Sequence, residues 1–207
     1  MHATAEQNAR RFFETYVTEI QNSTILEIGS QIGGFNIRSL SPEDAAYIGV
    51  DLEAAPGVDI VLKDEYILPF EDNAFDFVVS SSCFEHINFF WVSFLEIMRV
   101  LKPGGVFYLN APSNGDFHRY PIDCWRFFPD SGPALAKWAK TNGYDCEVLE
   151  QYTSDKELDI WCDYVGVFIK DATLMEKYPN RIIYNFNRFV NGSVYPHAQI
   201  LNKLTWN

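Results

Sequence analysis

The chain has 207 residues, of which 47% are hydrophobic and 16% aromatic, and its formal net charge at pH 7 is −12. A chain of this size can bury one substantial core, and its acidic balance argues against strong nucleic-acid binding, which depends on clustered Lys and Arg. No apolar run approaches the ~18 residues of a membrane span, and charged residues interrupt the N-terminal region where a secretory signal has its apolar core, so we expect a soluble, cytoplasmic protein.

The first predicted element is an amphipathic helix over residues 4–20, in which apolar side chains recur at helical spacing. Thr4 and Gln7 stand in capping-box register at its beginning. We expect this helix to cover the ligand cleft or an edge of the sheet that follows.

A short apolar run at residues 24–28 contains the acid Glu27 and leads into a turn with the sequence GSQIGG at residues 29–34. This pattern predicts a buried strand, a glycine-rich turn and the start of a helix. Glycines let the backbone approach a ligand closely, and a helix N-terminus offers free amide donors. Nucleotide-like cofactors are usually held in this way.

A second strand is predicted at residues 46–50 and is followed by Asp51, 22 positions after Gly29. An acid at this place can accept hydrogen bonds from both hydroxyls of a ribose. A single acid after a strand is equally compatible with a turn or a helix cap. The register of Glu27, the glycine turn and Asp51 favours the ligand site.

Further motifs follow in order: Asp64, the sequence LPF at residues 68–70, the run NAFDFVVSSS at 73–82, and then Glu85 and His86. With these motifs the chain resembles the class I S-adenosylmethionine-dependent methyltransferases, over roughly residues 20–115. The resemblance implies S-adenosyl-L-methionine as cofactor and S-adenosyl-L-homocysteine as product. It also implies a cofactor that lies across the ends of the first strands.

The resemblance implies that Glu27 and the glycine turn lie near the methionine end of the cofactor, Asp51 on the ribose and Asp64 near the adenine amine. Gln31 stands where the family usually has a glycine. The complete set of cofactor-binding residues expected in this way is Glu27, Gly29, Ser30, Gln31, Gly33, Asp51, Leu52, Asp64 and Ser80.

A dinucleotide-binding dehydrogenase is the natural competitor. Its fingerprint would need glycines at positions 31 and 34 after Gly29, and only Gly34 is present. A turn that presents carboxylates also suits the ammonium and sulfonium of S-adenosylmethionine better than it suits a pyrophosphate.

The remaining pattern alternates strands with helices, as in a parallel sheet flanked by helices. The predicted fold is an α/β, Rossmann-like class I methyltransferase fold with a mostly parallel, seven-stranded sheet and an antiparallel edge pair. Its further strands are expected near 58–62, 75–81, 105–110, 145–152 and 161–169, the last two forming the edge pair. Its further helices are expected at about 84–101 and 130–142.

The methyltransferase domain is therefore expected to cover residues 1–171. The C-terminal extension, residues 172–207, carries six aromatic residues among asparagines without a clear period. It is expected either to pack on the outside of the domain or to form a lid or partner surface.

A segment dense in ionisable and aromatic side chains follows the fifth strand. We call residues 111–130 the acceptor loop, because a long loop at the carboxyl edge of a parallel sheet lies beside the cofactor and is a common place for binding groups. Methyl transfer to an alcohol also needs a group that removes the hydroxyl proton. His118 is the first candidate for this base and His86 the second, while Asp123 or Asp116 could orient His118 or act in its place.

The other polar side chains of the acceptor loop leave two interpretations open. Asp123 and Arg126 are three residues apart and could simply pair with each other. Alternatively, Arg119 and Arg126 could hold an acidic acceptor, with Tyr120, Trp125 and Phe127 offering flat faces to a sugar ring. The predicted substrate-binding residues are Asp116, Arg119, Tyr120, Trp125 and Arg126.

No metal site is expected from the sequence. The spacing of Asp116, His118 and Asp123 matches no standard set of ligands, and the four cysteines include no Cys-x-x-Cys pair.

The sequence HRYPIDCWRF at residues 118–127 also resembles small methyltransferases found beside glycosyltransferases in glycan-building systems. This second resemblance implies O-methylation of a sugar hydroxyl on a glycan or nucleotide-sugar, and either a homodimer or a neighbouring glycosyltransferase domain. The alternatives are an N- or O-methyltransferase of another small metabolite and a non-catalytic module that binds the cofactor.

Overall fold

The computed structural model describes residues 2–156 and 158–204, and the side chain of Ala198 is left undescribed. Trp206, one of the aromatic residues of the C-terminal extension, lies outside the described residues. The strands of the described part are β1 (Thr24–Ile28), β2 (Ala46–Asp51), β3 (Ile60–Val61), β4 (Phe75–Ser81), β5 (Leu101–Pro112), β6 (Cys146–Ser154), β7 (Asp163–Lys170), β8 (Phe189–Val194) and β9 (His197–Leu201). The α-helices are α1 (Ala3–Phe12), α2 (Phe90–Val100) and α3 (Ser131–Thr141).

All of these strands form one sheet in the order β3-β2-β1-β4-β5-β7-β6-β8-β9. Strands β1 to β5 run parallel, whereas β7, β6, β8 and β9 pair antiparallel with their neighbours. The predicted Rossmann-like class I methyltransferase fold is confirmed. The sheet has nine described strands and not seven, because residues 189–201 of the C-terminal extension add a hairpin.

The two faces of the sheet bury separate apolar cores, which is why the inner strands are apolar at almost every position. One core packs α2 and α3 against the sheet, with Phe94, Phe107 and Phe168 in aromatic contact. The other core packs α1 against the opposite face, where Phe12 stacks on Tyr108 with ring centroids 4.6 Å apart. The carboxyl ends of β1 to β5 are thereby held rigidly at one edge.

The first helix differs from its prediction at both ends. It begins at Ala3, and the amide of Thr4 donates to Asp159 Oδ2 at 2.9 Å. This carboxylate, which precedes β7 in the chain, therefore takes the capping role that Gln7 was expected to share. After Phe12 the helix widens into a π-helical turn over Phe13–Val17.

Two other helix predictions were wrong, one because no α-helix forms and one because the helix begins later than predicted. The glycine turn is followed by a loop and one 3₁₀ turn, Ile37–Leu40, and not by an α-helix. The helix predicted from residue 84 has a single 3₁₀ turn, Phe84–His86, before α2 begins at Phe90. The acceptor loop explains this interruption, because the amide of Cys124 donates to the carbonyl of Glu85 and the Trp125 indole donates to that of Ile87.

The C-terminal extension continues the same sheet, so residue 171 does not mark the end of it. Strand β8 pairs with β6, which places β6 and β7 inside the sheet and not at its edge as predicted. The buried carboxylate of Glu150 ties the extension down by accepting from the amides of Ile182 and Ile183 and from the hydroxyl of Tyr16. No described helix combines the length and apolarity needed to cross a membrane.

Candidate active site

A cleft of about 1020 Å³ opens at the carboxyl edge of β1, β2 and β4. We call it the carboxyl-edge cleft. The sequence-predicted residues that line it are Glu27, Gly29, Ser30, Gln31, Gly33, Asp51, Leu52, His86, His118, Arg119 and Tyr120.

The turn after β1 is held by backbone hydrogen bonds from Gly29 and Ser30 to the carbonyl of Val50. Gly29 has a φ of +78°, and a Cβ at this position would lie 2.6 Å from the sulfur of Cys83. Glycine is therefore required there for both conformation and space. Gln31 has no positive φ, so the family's glycine is not needed at this position, and its amide donates to Asp51 Oδ2 at 3.1 Å.

Acidic side chains collect around this turn. Glu27 is only 6% exposed and accepts a hydrogen bond from the hydroxyl of Tyr47 at 2.9 Å. Burial raises the pKa of Glu27 to about 7. Asp51 accepts from the amides of Gln31 and Leu52. Glu53 and Glu65, which the sequence analysis did not single out, also line the cleft.

Two predicted cofactor residues do not line the carboxyl-edge cleft. Ser80 is fully buried, and its hydroxyl donates to the carbonyl of Ile28 at 3.1 Å, which ties β4 to β1. Asp64 is exposed and caps a local turn by accepting from the amide of Tyr66. Its neighbours Leu62 and Glu65 line the cleft.

The opposite part of the cleft carries imidazole rings. Nδ1 of His86 is hydrogen-bonded to the carbonyl of Ile122, which leaves Nε2 of that ring free to face Glu85. Burial lowers the pKa of His86, which favours the neutral form of the ring. His118 meets it edge to face, with ring centroids 5.2 Å apart.

Asp123 and Arg126 form the ion pair that the sequence left as one of two interpretations. Arg126 makes two parallel hydrogen bonds to the carboxylate of Asp123, at 2.6 and 2.9 Å. The guanidinium holds the pKa of Asp123 well below its ordinary value. Asp123 also accepts from the backbone amide of His118 at 2.8 Å and lies 3.5 Å from its Nδ1. This pair therefore shapes the acceptor loop around His118 and does not line the cleft.

Two other predicted substrate residues also lie off the cleft lining. Asp116 is exposed, and its carbonyl accepts from Arg126. Trp125 packs against Phe90 and Trp91 of α2, and Phe127 is buried in the core. The Phe, Tyr and Trp side chains that do line the cleft are Phe35, Tyr120 and Trp161.

Sequence reasoning gave no site role to several lining residues, of which Glu85 is the most notable, although Glu85 stands in one of the motifs. Its side chain is 1% exposed, and burial raises its pKa to about 8. Its place directly before His86, in the turn that follows the buried strand β4, is the signal that could have identified it. His2 and Trp161 come from distant parts of the chain and carried no such signal.

Residues 26–109 match the family described as "Methyltransferase domain". The chain is 36% identical over 104 residues to phthiotriol/phenolphthiotriol dimycocerosates methyltransferase 1 of Mycobacterium ulcerans, a match that covers 42% of this chain and 36% of that protein. The chain thus spans less than half the length of this relative.

Solved structures share the fold at low sequence identity. The 1,6-didemethyltoxoflavin-N1-methyltransferase of Burkholderia thailandensis, bound to 1,6-didemethyltoxoflavin and S-adenosylhomocysteine, has a TM-score of 0.61 and 16% identity over 81% of this chain and 78% of its own. The [4+2]-cyclase SpnF has a TM-score of 0.59 and 15% identity over 80% and 81% of the two chains. Residues 26–109 therefore match a methyltransferase domain, and the described residues have the class I methyltransferase fold.

Proposed function

We propose that this domain transfers a methyl group to a hydroxyl, and that the hydroxyl belongs to a sugar of a glycan or nucleotide-sugar. One observation carries the proposal: a single cleft holds carboxylates suited to a cationic cofactor and, on its other wall, two imidazoles suited to an alcohol. The S-adenosylmethionine cofactor supplies, when bound, a methyl group on a positively charged sulfur.

The cofactor end of the cleft fits such a cation. Four carboxylates line this end: Glu27, Asp51, Glu53 and Glu65. Gly29 lies close to Cys83 and has no side chain, so the turn leaves room for a ligand in the cleft. We assign the ribose hydroxyls to Asp51 and the methionine ammonium to Glu27.

The base role falls to the histidines. Neutral His86 has its Nδ1 fixed on the Ile122 carbonyl, so its Nε2 can accept the hydroxyl proton. His118 offers a second ring on the same wall, and its Nδ1 lies 3.5 Å from the Asp123 carboxylate, which can orient the ring. Both remain candidates for the base.

The sugar assignment is supported by flat and polar groups on the acceptor side. The ring of Tyr120, which is 64% exposed, offers a face on which the C–H groups of a sugar can rest, and Arg119 offers hydrogen-bond donors. A lipid alcohol is the second candidate, because the apolar side chains of Phe117 and Ile160 next to the cleft are 74% and 70% exposed. The Mycobacterium relative is named as a phthiotriol/phenolphthiotriol dimycocerosates methyltransferase, which agrees with an apolar alcohol as acceptor. Two further alternatives are an N- or O-methyltransferase of another small metabolite and a module that binds the cofactor without turnover; the assays below separate them.

Calorimetry with S-adenosylmethionine and S-adenosylhomocysteine tests the cofactor assignment. Asp51→Asn should weaken binding of both about 10- to 100-fold, because a charged acceptor contributes about 1.5 to 3 kcal/mol. Asp64→Asn is the matched control and should leave affinity unchanged, since Asp64 does not line the cleft. Equal affinities of wild type and Asp51→Asn would contradict the assignment.

Mass spectrometry of products from a panel of free sugars, nucleotide-sugars, lipid alcohols and small amines tests the acceptor. We expect methylated saccharides, and a loss of about 10²- to 10⁴-fold in kcat on removal of the base, His118→Ala or His86→Ala, with cofactor affinity retained. His197→Ala, on the distant β9, is the control. Methylation of amines alone would refute the proposal, and cofactor binding without any turnover would favour the module.

A further inference from the structure

Three side chains on the acceptor side of the cleft point one donor atom each at a common space. They are Glu85, His86 and His118, and their donor atoms all lie within 4.8 Å of one another. Glu85 and His86 come from the segment between β4 and α2, whereas His118 comes from the acceptor loop. Folding therefore brings together groups that are 32 residues apart, which explains why the sequence spacing did not reveal the cluster.

The carboxyl group of Glu85 is the first reason to look for a ligand here. The side chain is 1% exposed and lines the cleft, yet its Oε2 has no hydrogen-bond partner among the described residues. Leaving a buried carboxyl oxygen unpaired is costly, and such atoms in folded proteins usually meet a partner. A cation in the cleft would supply one.

The orientation of His86 is the second reason. Its Nδ1 is held by the carbonyl of Ile122, and its Nε2 lies 3.7 Å from Oε1 of Glu85. A ring with one nitrogen fixed on a backbone carbonyl and the other turned toward a carboxylate has the arrangement of a metal-binding histidine with its supporting hydrogen bond.

We propose that Glu85, His86 and His118 bind a divalent transition-metal ion. Two imidazole nitrogens and one carboxylate oxygen suit Zn²⁺, Co²⁺ or Fe²⁺ better than the harder Mg²⁺ and Ca²⁺, which take oxygen ligands. Three protein ligands leave a coordination position for a water or an acceptor oxygen, as in catalytic zinc sites.

The distances require only a small closure of the cluster. Donor atoms bound to zinc at about 2.1 Å in a tetrahedral array lie about 3.4 Å apart. The Glu85–His86 pair is already near this value at 3.7 Å. His118 is 40% exposed on a loop, so its side chain has room to move toward the other two.

The consequence for catalysis depends on the proposed methyl transfer to a hydroxyl. An acceptor oxygen bound to the ion would have its O–H pKa lowered, so that the O–H bond breaks, the proton passes to solvent water and the electron pair stays on the metal-bound oxygen. The two histidines would then be ligands and not the base. Chelation separates these roles, because a histidine base does not need a metal.

Metal binding can be measured without an acceptor or cofactor. The full chain is stripped with a chelator, dialysed, and titrated with Co²⁺ by visible absorption and with Zn²⁺ by calorimetry. We expect one equivalent of either ion, with Co²⁺ bands typical of nitrogen and oxygen ligands. Glu85→Gln keeps the size of the side chain and His118→Ala changes an exposed loop, and each should weaken Zn²⁺ binding at least tenfold. His197→Ala, which removes an exposed histidine on β9, should not.

The outcomes distinguish this site from the proposed function. Absence of stoichiometric binding by folded wild type, or equal Zn²⁺ affinities of wild type and His118→Ala, would overturn the metal site and leave the methyltransferase proposal standing. Specific Zn²⁺ binding in a chain that methylates no hydroxyl would support the site and refute the proposed acceptor class. If both proposals hold, chelation should abolish turnover and added Zn²⁺ or Co²⁺ should restore it. Full turnover after chelation would show that catalysis needs no metal and that a histidine acts as the base.

Discussion

At the scale of single residues, the carboxyl-edge cleft depends on acids in different environments. Glu27 is buried behind the hydroxyl of Tyr47, whereas Asp51 is partly exposed and bonded to two backbone amides. Burial disfavours the charged form of Glu27, which is why its pKa rises to about 7. The charge of this end of the cleft therefore changes near neutral pH.

This shift makes cofactor binding dependent on pH. If the ionised form of Glu27 pairs with the methionine ammonium, affinity for S-adenosylmethionine should rise about three- to tenfold between pH 6 and 7.5, as the carboxyl loses its proton. Calorimetry across this range checks the prediction. Glu27→Gln, which cannot ionise, should show a flat profile, and a wild-type profile equally flat would exclude Glu27 from the ammonium site.

The same shift has a cost in stability. Because the folded-state pKa of Glu27 lies above its ordinary value of 4.5, the unfolded chain loses this proton first as the pH rises. The folded state is therefore destabilised between about pH 4.5 and pH 7, and the effect is complete above that range. The proposed contact with the cationic cofactor would account for a buried carboxyl group here in spite of that loss.

At the scale of elements, the conformation of the turn after β1 requires glycine at position 29 but not at position 33. Gly29 has a left-handed conformation and faces the Cys83 side chain, whereas Gly33 has open space around its Cβ position and no positive φ. The two glycines look equivalent in the sequence. Only the first has a structural requirement.

Paired substitutions test this difference. Gly29→Ala should lower the free energy of unfolding by about 1 to 3 kcal/mol, because it adds strain at a positive φ and a clash with Cys83. Gly33→Ala should change it by less than about 0.5 kcal/mol. Urea unfolding of both variants gives the comparison, and similar midpoints for the two would show that the turn adapts to a side chain.

At the scale of the whole molecule, the C-terminal extension belongs to the fold. Tyr178, Ile182 and Phe189 are buried in the core on the α1 side of the sheet, and β8 covers the edge of β6. Without the extension, the fully buried Glu150 would lose the amides of Ile182 and Ile183 as donors. Glu150 would keep only the Tyr16 hydroxyl as a donor, and a buried carboxylate with too few donors and an open strand edge both favour unfolding and aggregation.

Truncation tests this view. A chain that ends at residue 171 should be poorly soluble, or should unfold at a clearly lower temperature than the full chain, as measured by circular dichroism on the soluble fraction. As a milder variant, Phe189→Ala should cost about 3 to 5 kcal/mol if its site cannot collapse. A truncated chain with the thermal midpoint of the full protein would mean that residues 172–207 are an independent appendage.

The sequence by itself determined the class of fold and predicted a ligand site at the carboxyl edge of the sheet. The strand with Glu27, the turn at Gly29 and the acid at Asp51 are local signals, because parallel strands carry their ligand groups at fixed places along the chain. These signals need no knowledge of distant contacts, and the predicted strands β1, β2 and β4 lie where the pattern indicated.

Only the tertiary structure decided which polar groups share a space. In the structure Glu85 lines the cleft, whereas four predicted site residues do not: Asp64, Ser80, Asp123 and Arg126. The helix predicted from residue 84 begins only at Phe90, and the C-terminal extension forms strands. Both differences depend on hydrogen bonds to segments far along the chain. Spacing in the sequence cannot report such contacts, since they are fixed by how the loops fold over the sheet.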